Sequence, residues 1–231
     1  MTNKRFRHIT DVLLTLLLLC LMAYQATGEA VHEWSGVAMT ALLVLHHILN
    51  RRWYGTLFKG RYSARRVISA IVNALLLISV LLTAACGMSM SSRAVPFLYR
   101  LLPIHFAQRF HLTMSFWSFV LMGFHLGLHL PVLAGRARMS GRAMRAIVGA
   151  AVLAAAAGAW LFLKYGIPGY LFFRVPFAIF DDTKSLLRVL LENLAMLVLF
   201  AAVGAACASV TGSNKQGDAG RNGQASGTIG R

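Results

Sequence analysis

The sequence predicts an all-α protein, a polytopic membrane bundle of six transmembrane helices. Three observations lead there. Of 231 residues, 58% are hydrophobic and only 13% charged, against roughly a quarter charged in a typical soluble domain. The apolar residues gather in six nearly uncharged runs, 13–23, 37–49, 67–85, 113–132, 146–163 and 186–210; with their flanks these approach the roughly 20 residues that span a bilayer's hydrocarbon core. The basic residues lie mainly between these runs. A disordered chain is excluded, and a water-soluble globule does not fit.

Taken in order, helices are expected over 9–27, 31–50, 65–86, 105–130, 143–165 and 184–209. The first has the outline of a signal peptide, with Lys4, Arg5 and Arg7 ahead of an apolar stretch. Five further hydrophobic segments follow it, so it reads as a retained helix. The link 26–33 carries Glu29 and Glu33 and no Lys or Arg. The segment 50–66 carries Arg51, Arg52, Lys59, Arg61, Arg65 and Arg66, and the segment 131–145 carries Arg136, Arg138, Arg142 and Arg145. With the N-terminus and Lys215, Arg221 and Arg231, this puts 16 of the 23 cations on one side. Basic loops stay in the cytoplasm. Both termini are therefore expected in the cytoplasm of a bacterial inner membrane, with the acidic link outside. The net charge of +16 follows from that topology and does not point to nucleic acid.

Residues 166–183 hold Arg174, Pro168 and Pro176 among aromatic rings, which suits a short interfacial helix better than a crossing. Residues 211–231 are rich in Gly, Ser, Asn and Gln and read as a disordered cytoplasmic tail after a membrane domain of 1–210. Cys20, Cys86 and Cys207 are isolated, without a CxxC pair or CxxCH. That pattern offers neither an iron–sulfur or zinc site nor covalent haem attachment.

The histidines carry the chemistry. His32 and His46 are 14 residues apart in the second predicted helix, and His111 and His125 are 14 apart in the fourth. At about 100° per residue, 14 steps return a side chain to within about 40° of its starting azimuth and advance it about 21 Å. Each helix thus presents two imidazoles on one face, near opposite membrane surfaces. One helix separates the two in sequence, so they cross in the same direction. His32 then matches His111 outside, and His46 matches His125 inside. Facing helices would make two bis-histidine axial sites for b-type haem, which needs no cysteine. A four-helix haem-binding core is the expected architecture.

Other residues fit that plan. Gly36 lets a flat porphyrin approach the backbone, and Met39 and Ser118 lie midway between the levels. Gly36, Met39 and Leu43 share the stripe on the second helix, and Ser115, Ser118 and Met122 that on the fourth. His47 points about 100° from His46 and is the alternate ligand there. His129, one turn after His125, is an alternate ligand, a propionate donor or part of a quinone pocket. Arg93 and Arg109 outside, and Arg51, Arg52 and Arg66 inside, are candidates to meet haem propionates. Asn73 and Gln108 are weaker candidates. Glu192, in the last helix, is placed to meet a quinol, a partner subunit or solvent at the helix end. His8 and His105 read as interfacial.

The stretches HEWSGVAMTALLVLHHILNRRWYGTLFKGRYSARRV (32–67) and FHLTMSFWSFVLMGFHLGLHL (110–130) resemble the DUF4405 family, also described as flavinylation-associated cytochromes. The resemblance runs to about residue 200. It implies kinship with the di-haem membrane cytochrome subunits of formate dehydrogenase and Ni/Fe-hydrogenase, with His32, His46, His111 and His125 as haem ligands. It further implies exchange of electrons between quinone and a redox protein partner, a flavoprotein or Fe–S protein.

The expected function is one-electron relay across the bilayer by two b-type haems, with quinone or quinol as a further cofactor or partner. No glycine-rich dinucleotide fingerprint indicates NAD(P)H oxidation within the chain. The basic segment 50–66 offers a docking place for an acidic partner or anionic lipid. The alternatives are a haem-free transporter, a structural anchor for an enzyme complex, and a ferric-reductase-like subunit served by a separate flavin domain. Intramembrane carboxylates for a proton relay are scarce, which counts against the transporter.

Overall fold

The computed structural model describes residues 2–60, 62–136, 140–178, 181 and 183–226, with side chains described for 4–60, 62–131, 140–178, 181 and 183–211. Six long helices run through it: α1 (Thr2–Met22), α2 (Tyr24–Leu49), α4 (Ala64–Met90), α5 (Ile104–Arg136), α6 (Gly141–Lys164) and α8 (Leu186–Ser226). Two short ones intervene, α3 (Arg52–Thr56) and α7 (Ile167–Leu171), and a 3₁₀ turn (Pro96–Leu98) lies between α4 and α5. Among the described residues there is no strand. Of the expected tail, 211–231, the backbone through 226 belongs to α8, and the side chains of 212–226 and all of 227–231 lie outside what is described.

Among the described residues, three helices are long and apolar enough to cross a membrane: Ala64–Met90, Gly141–Lys164 and Leu186–Thr211. Their outward faces carry large apolar side chains such as Ile78, Leu153, Leu163 and Leu187, as suits a multi-pass protein whose surroundings are lipid. The other long helices fall short through polarity. α1 carries Arg5, Arg7 and Asp11; α2 carries Glu29, Glu33, His32, His46 and His47; α5 carries four histidines, at 105, 111, 125 and 129.

The first turn comes earlier than the sequence suggests. α1 ends at Met22, and Gly28 interrupts the start of α2 with φ +79°. Only glycine adopts that conformation without a Cβ penalty, and it sets the entry angle of α2. Further along the chain, Ser140 caps α6 by accepting from the Ala143 amide at 3.3 Å, satisfying one of the orphan donors of the first turn.

α5 packs along both α4 and α8, and α6 packs along α8. α2 packs chiefly along α1, and this hairpin touches α4 and α8 more lightly. Small residues permit the closest approaches. A Cβ on Gly127 would collide with the Ala201 carbonyl, one on Gly204 with the Phe124 carbonyl, and one on Gly158 with the Ala195 carbonyl, the small-residue contact used between membrane helices. The central core joins Leu14, Leu18, Met39, Phe119, Met122, Leu161, Met196 and Leu197.

α7 lies within 166–183 and folds back on α5. Thr113 and Trp117 donate to the Tyr170 and Leu171 carbonyls at 3.0 Å each. Tyr170 is buried against Phe116, whereas Phe172 and Phe177 point outward. The segment therefore divides its aromatic rings between core and surface.

Candidate functional site: two histidine levels

The site is built between the α1–α2 hairpin and the α4–α5 hairpin. At one level the rings of His32 and His111 face each other edge to face, with centroids 5.9 Å apart. His32 Nδ1 lies 3.2 Å from the Leu21 carbonyl. That carbonyl belongs to the last turn of α1, where the helix leaves its acceptors free. His111 Nδ1 lies 2.9 Å from the Thr83 carbonyl on α4. Thr83 reaches the ring because Gly87, one turn later, has no side chain: a Cβ there would stand 2.9 Å from His111 Cε1 and 3.0 Å from Nδ1.

At the other level His46 Nδ1 donates to Asp11 Oδ1 of α1 at 2.8 Å, and His125 Nδ1 donates to Asn73 Oδ1 of α4 at 2.8 Å. His46, His125 and Asp11 lie within charge–charge reach of one another. Asn50 closes the end of α2 by donating to the His46 carbonyl at 2.9 Å.

One pattern unites the four histidines singled out by spacing. In each, Nδ1 faces an oxygen acceptor, which fixes the Nδ1–H tautomer and turns Nε2 into the free lone pair. This is the orientation that outer partners impose on a metal-ligating imidazole. Each hairpin also orients its own pair: α1 supplies the acceptors for α2, and α4 supplies those for α5.

The residues between the levels are buried. Met39, Phe119 and Met122 are core residues, and Ser118 is satisfied by donating to Ser79 Oγ at 3.1 Å. A Cβ on Gly36 would meet open space. The structure sets the remaining candidates apart. His47 lies 2.6 Å from the Tyr54 hydroxyl and turns toward α3. His129 stacks edge-on against His125 at 4.9 Å between centroids and shares its end of the bundle with Arg65, which donates to the Leu128 carbonyl at 2.8 Å. Arg93 pairs with Glu29 at 3.4 Å. Arg109 donates to the Phe173 carbonyl beside a cleft of about 390 Å³ that His105 also lines. Arg66 donates to the Thr56 carbonyl and covers the Tyr62 ring, at a cleft of about 280 Å³. Neither cleft lies between the histidine rings. Arg51, Arg52, Gln108 and His8 are exposed. Glu192 is paired with Lys184 and Arg188, both at 3.1 Å.

Sequence reasoning missed several functional positions. Asp11 was readable as a carboxylate alone in an apolar helix. Gly87 and the Thr83 and Leu21 carbonyls carry no such signal. Glu33 accepts from the Ser91 hydroxyl at 2.6 Å and from the Arg93 and Ala94 amides at 3.0 and 2.9 Å, tying α2 to the start of the α4–α5 connection. Arg7, one turn before Asp11 on the same face of α1, is half-buried, and its Nε has no hydrogen-bond partner among the described residues.

At the His32–His111 level the donor set suits a cofactor held by two imidazoles: the ring centroids lie 5.9 Å apart and each Nδ1 is engaged by a carbonyl, so that the Nε2 atoms would hold it. Among the described residues no group of three or more His, Cys, Asp or Glu side chains is arranged to hold a metal ion alone; a haem requires only two protein ligands. In comparisons with family models, with curated proteins and with solved structures, the chain matched none.

Proposed function

We propose that the chain is a di-haem b-type cytochrome, with six membrane-spanning helices and both termini in the cytoplasm of a bacterial inner membrane. It relays electrons between the quinone pool and a redox partner, an extracytoplasmic flavoprotein or an Fe–S protein. The observation that carries this reading is the shared orientation of His32, His111, His46 and His125, each with Nδ1 engaged and Nε2 free. His32 and His111 would hold one haem, and His46 and His125 the other. Haem supplies a one-electron Fe(III)/Fe(II) couple.

The protein's part is to bind, orient and enclose. The Leu21 and Thr83 carbonyls, Asp11 and Asn73 lock the rings. Met39, Phe119, Met122 and Ser118 fill the space between levels and exclude water. Gly36 leaves room for a flat ring system, and Arg7, half-buried, would offer its unpartnered Nε to a propionate. All four imidazoles are already oriented by these partners, so they would need little rearrangement to hold the group.

The test is a reduced-minus-oxidised spectrum with pyridine haemochrome quantitation on the purified chain. Two haems b per chain are expected, falling to one in His111→Ala and to one in His125→Ala. A purified, folded chain without haem absorbance refutes the reading.

A further inference from the structure

The two levels differ in what their imidazoles donate to. His32 and His111 donate to main-chain carbonyls and His125 to a neutral amide, but His46 donates to a carboxylate, that of Asp11, at 2.8 Å. We infer that Asp11 makes the His46–His125 level the lower-potential one, so that an electron shared between the levels rests with His32 and His111. The inference rests on the haem reading above and gives it a direction: from the arginine-rich end of the bundle toward the end where Glu29 and Glu33 lie.

Two effects act in the same sense. A carboxylate acceptor makes an imidazole a stronger donor to its metal than a carbonyl does, and the stronger donor favours ferric over ferrous iron. Asp11 also puts a full negative charge in direct contact with one ring, whereas Glu33, next to His32 in sequence, turns its carboxylate to Ser91 and the Arg93 and Ala94 amides. Arg7 and Arg65 bring positive charge to this end, but they act through space, whereas Asp11 is bonded to the ring itself; both cations persist when Asp11 is replaced, so the substitution isolates the carboxylate. With both haems held, one electron would leave the His46–His125 level, oxidising it by one unit, and reach the His32–His111 level, reducing it by one. No covalent bond is made or broken, and no proton moves.

Potentiometric titration of haem absorbance in the purified full-length chain tests this. Wild type should show two one-electron waves. Asp11→Asn should raise the lower wave by at least a tenfold change in its reduction equilibrium constant, about 59 mV for one electron, and leave the upper wave in place. Asp11→Glu, which keeps the charge, should stay near wild type. Asn73→Asp gives the second carbonyl-type acceptor at this level a charge and should move the same wave down. If Asp11→Asn loses one haem, Asn73→Asp carries the test alone. Both waves unmoved in a variant that retains two haems, or movement of the upper wave instead, overturns the assignment of Asp11 while leaving the cytochrome intact. A wild-type chain without haem refutes the parent reading instead.

Discussion

Gly87→Ala probes the site at a residue that touches it without ligating anything. The new methyl would stand 2.9 Å from His111 Cε1, about 0.5 Å inside ordinary carbon contact at about 3.4 Å. The methyl sits on a helix backbone and cannot retreat, so the ring must. Displaced by that amount, Nδ1 would move from 2.9 Å to about 3.4 Å from the Thr83 carbonyl, beyond a good hydrogen bond. Overpacking of this kind costs about 1–3 kcal/mol, and an unmade buried hydrogen bond is of similar size. Because the loss of one forces the loss of the other, they are not summed. Affinity at the His32–His111 level should fall roughly 5- to 150-fold, with the His46–His125 level unaffected. The assay is haem content per chain during stepwise reconstitution, with thermal unfolding recorded in parallel. Two haems bound with wild-type affinity and an unchanged melting temperature would refute the argument that Gly87 exists to admit His111.

Three further outcomes are expected. His47→Ala should keep two haems and His46→Ala only one, read by pyridine haemochrome, because His47 turns toward Tyr54. Gly127→Ala and Gly158→Ala should each destabilise the bundle by about 1–3 kcal/mol, measured as loss of helicity on heating in detergent, since each methyl meets a neighbouring backbone carbonyl. Glu33→Gln should weaken the anchoring of the α4–α5 connection by about 1 kcal/mol, less than a buried charged acceptor is worth because the carboxylate is only half-buried; protease cleavage between residues 91 and 100 should become faster, with haem content retained.

The six long helices were legible from their runs of Leu, Val and Ala, and among the described residues three of them are apolar enough to cross a membrane. Their ends were less so. The turn between α1 and α2 depends on the Gly28 backbone, and α5 extends past Pro131, beyond the expected end at 130. The spacing of 14 residues identified the face shared by His32 and His46, and by His111 and His125, because a phase relation within one helix is written in sequence. What orients those rings lies on other helices. The Leu21 and Thr83 carbonyls are main-chain atoms with no residue signature, and Gly87 matters only through the ring opposite it. Asn73, weighed only as a propionate contact, instead accepts from His125.

Because α1 steadies the imidazoles of α2 while α4 steadies those of α5, the bundle closes like two finished jaws. The contacts that orient each pair lie within one hairpin, and the two pairs meet only where the hairpins pack together. The natural seam is the connection after α3, at residues 57–62. On the haem reading, the two fragments cut there and co-expressed should find each other in the membrane, with the proposed cofactor as their clasp. The chain would then behave as a pair of half-receptors whose tether is dispensable once both ends are gripped.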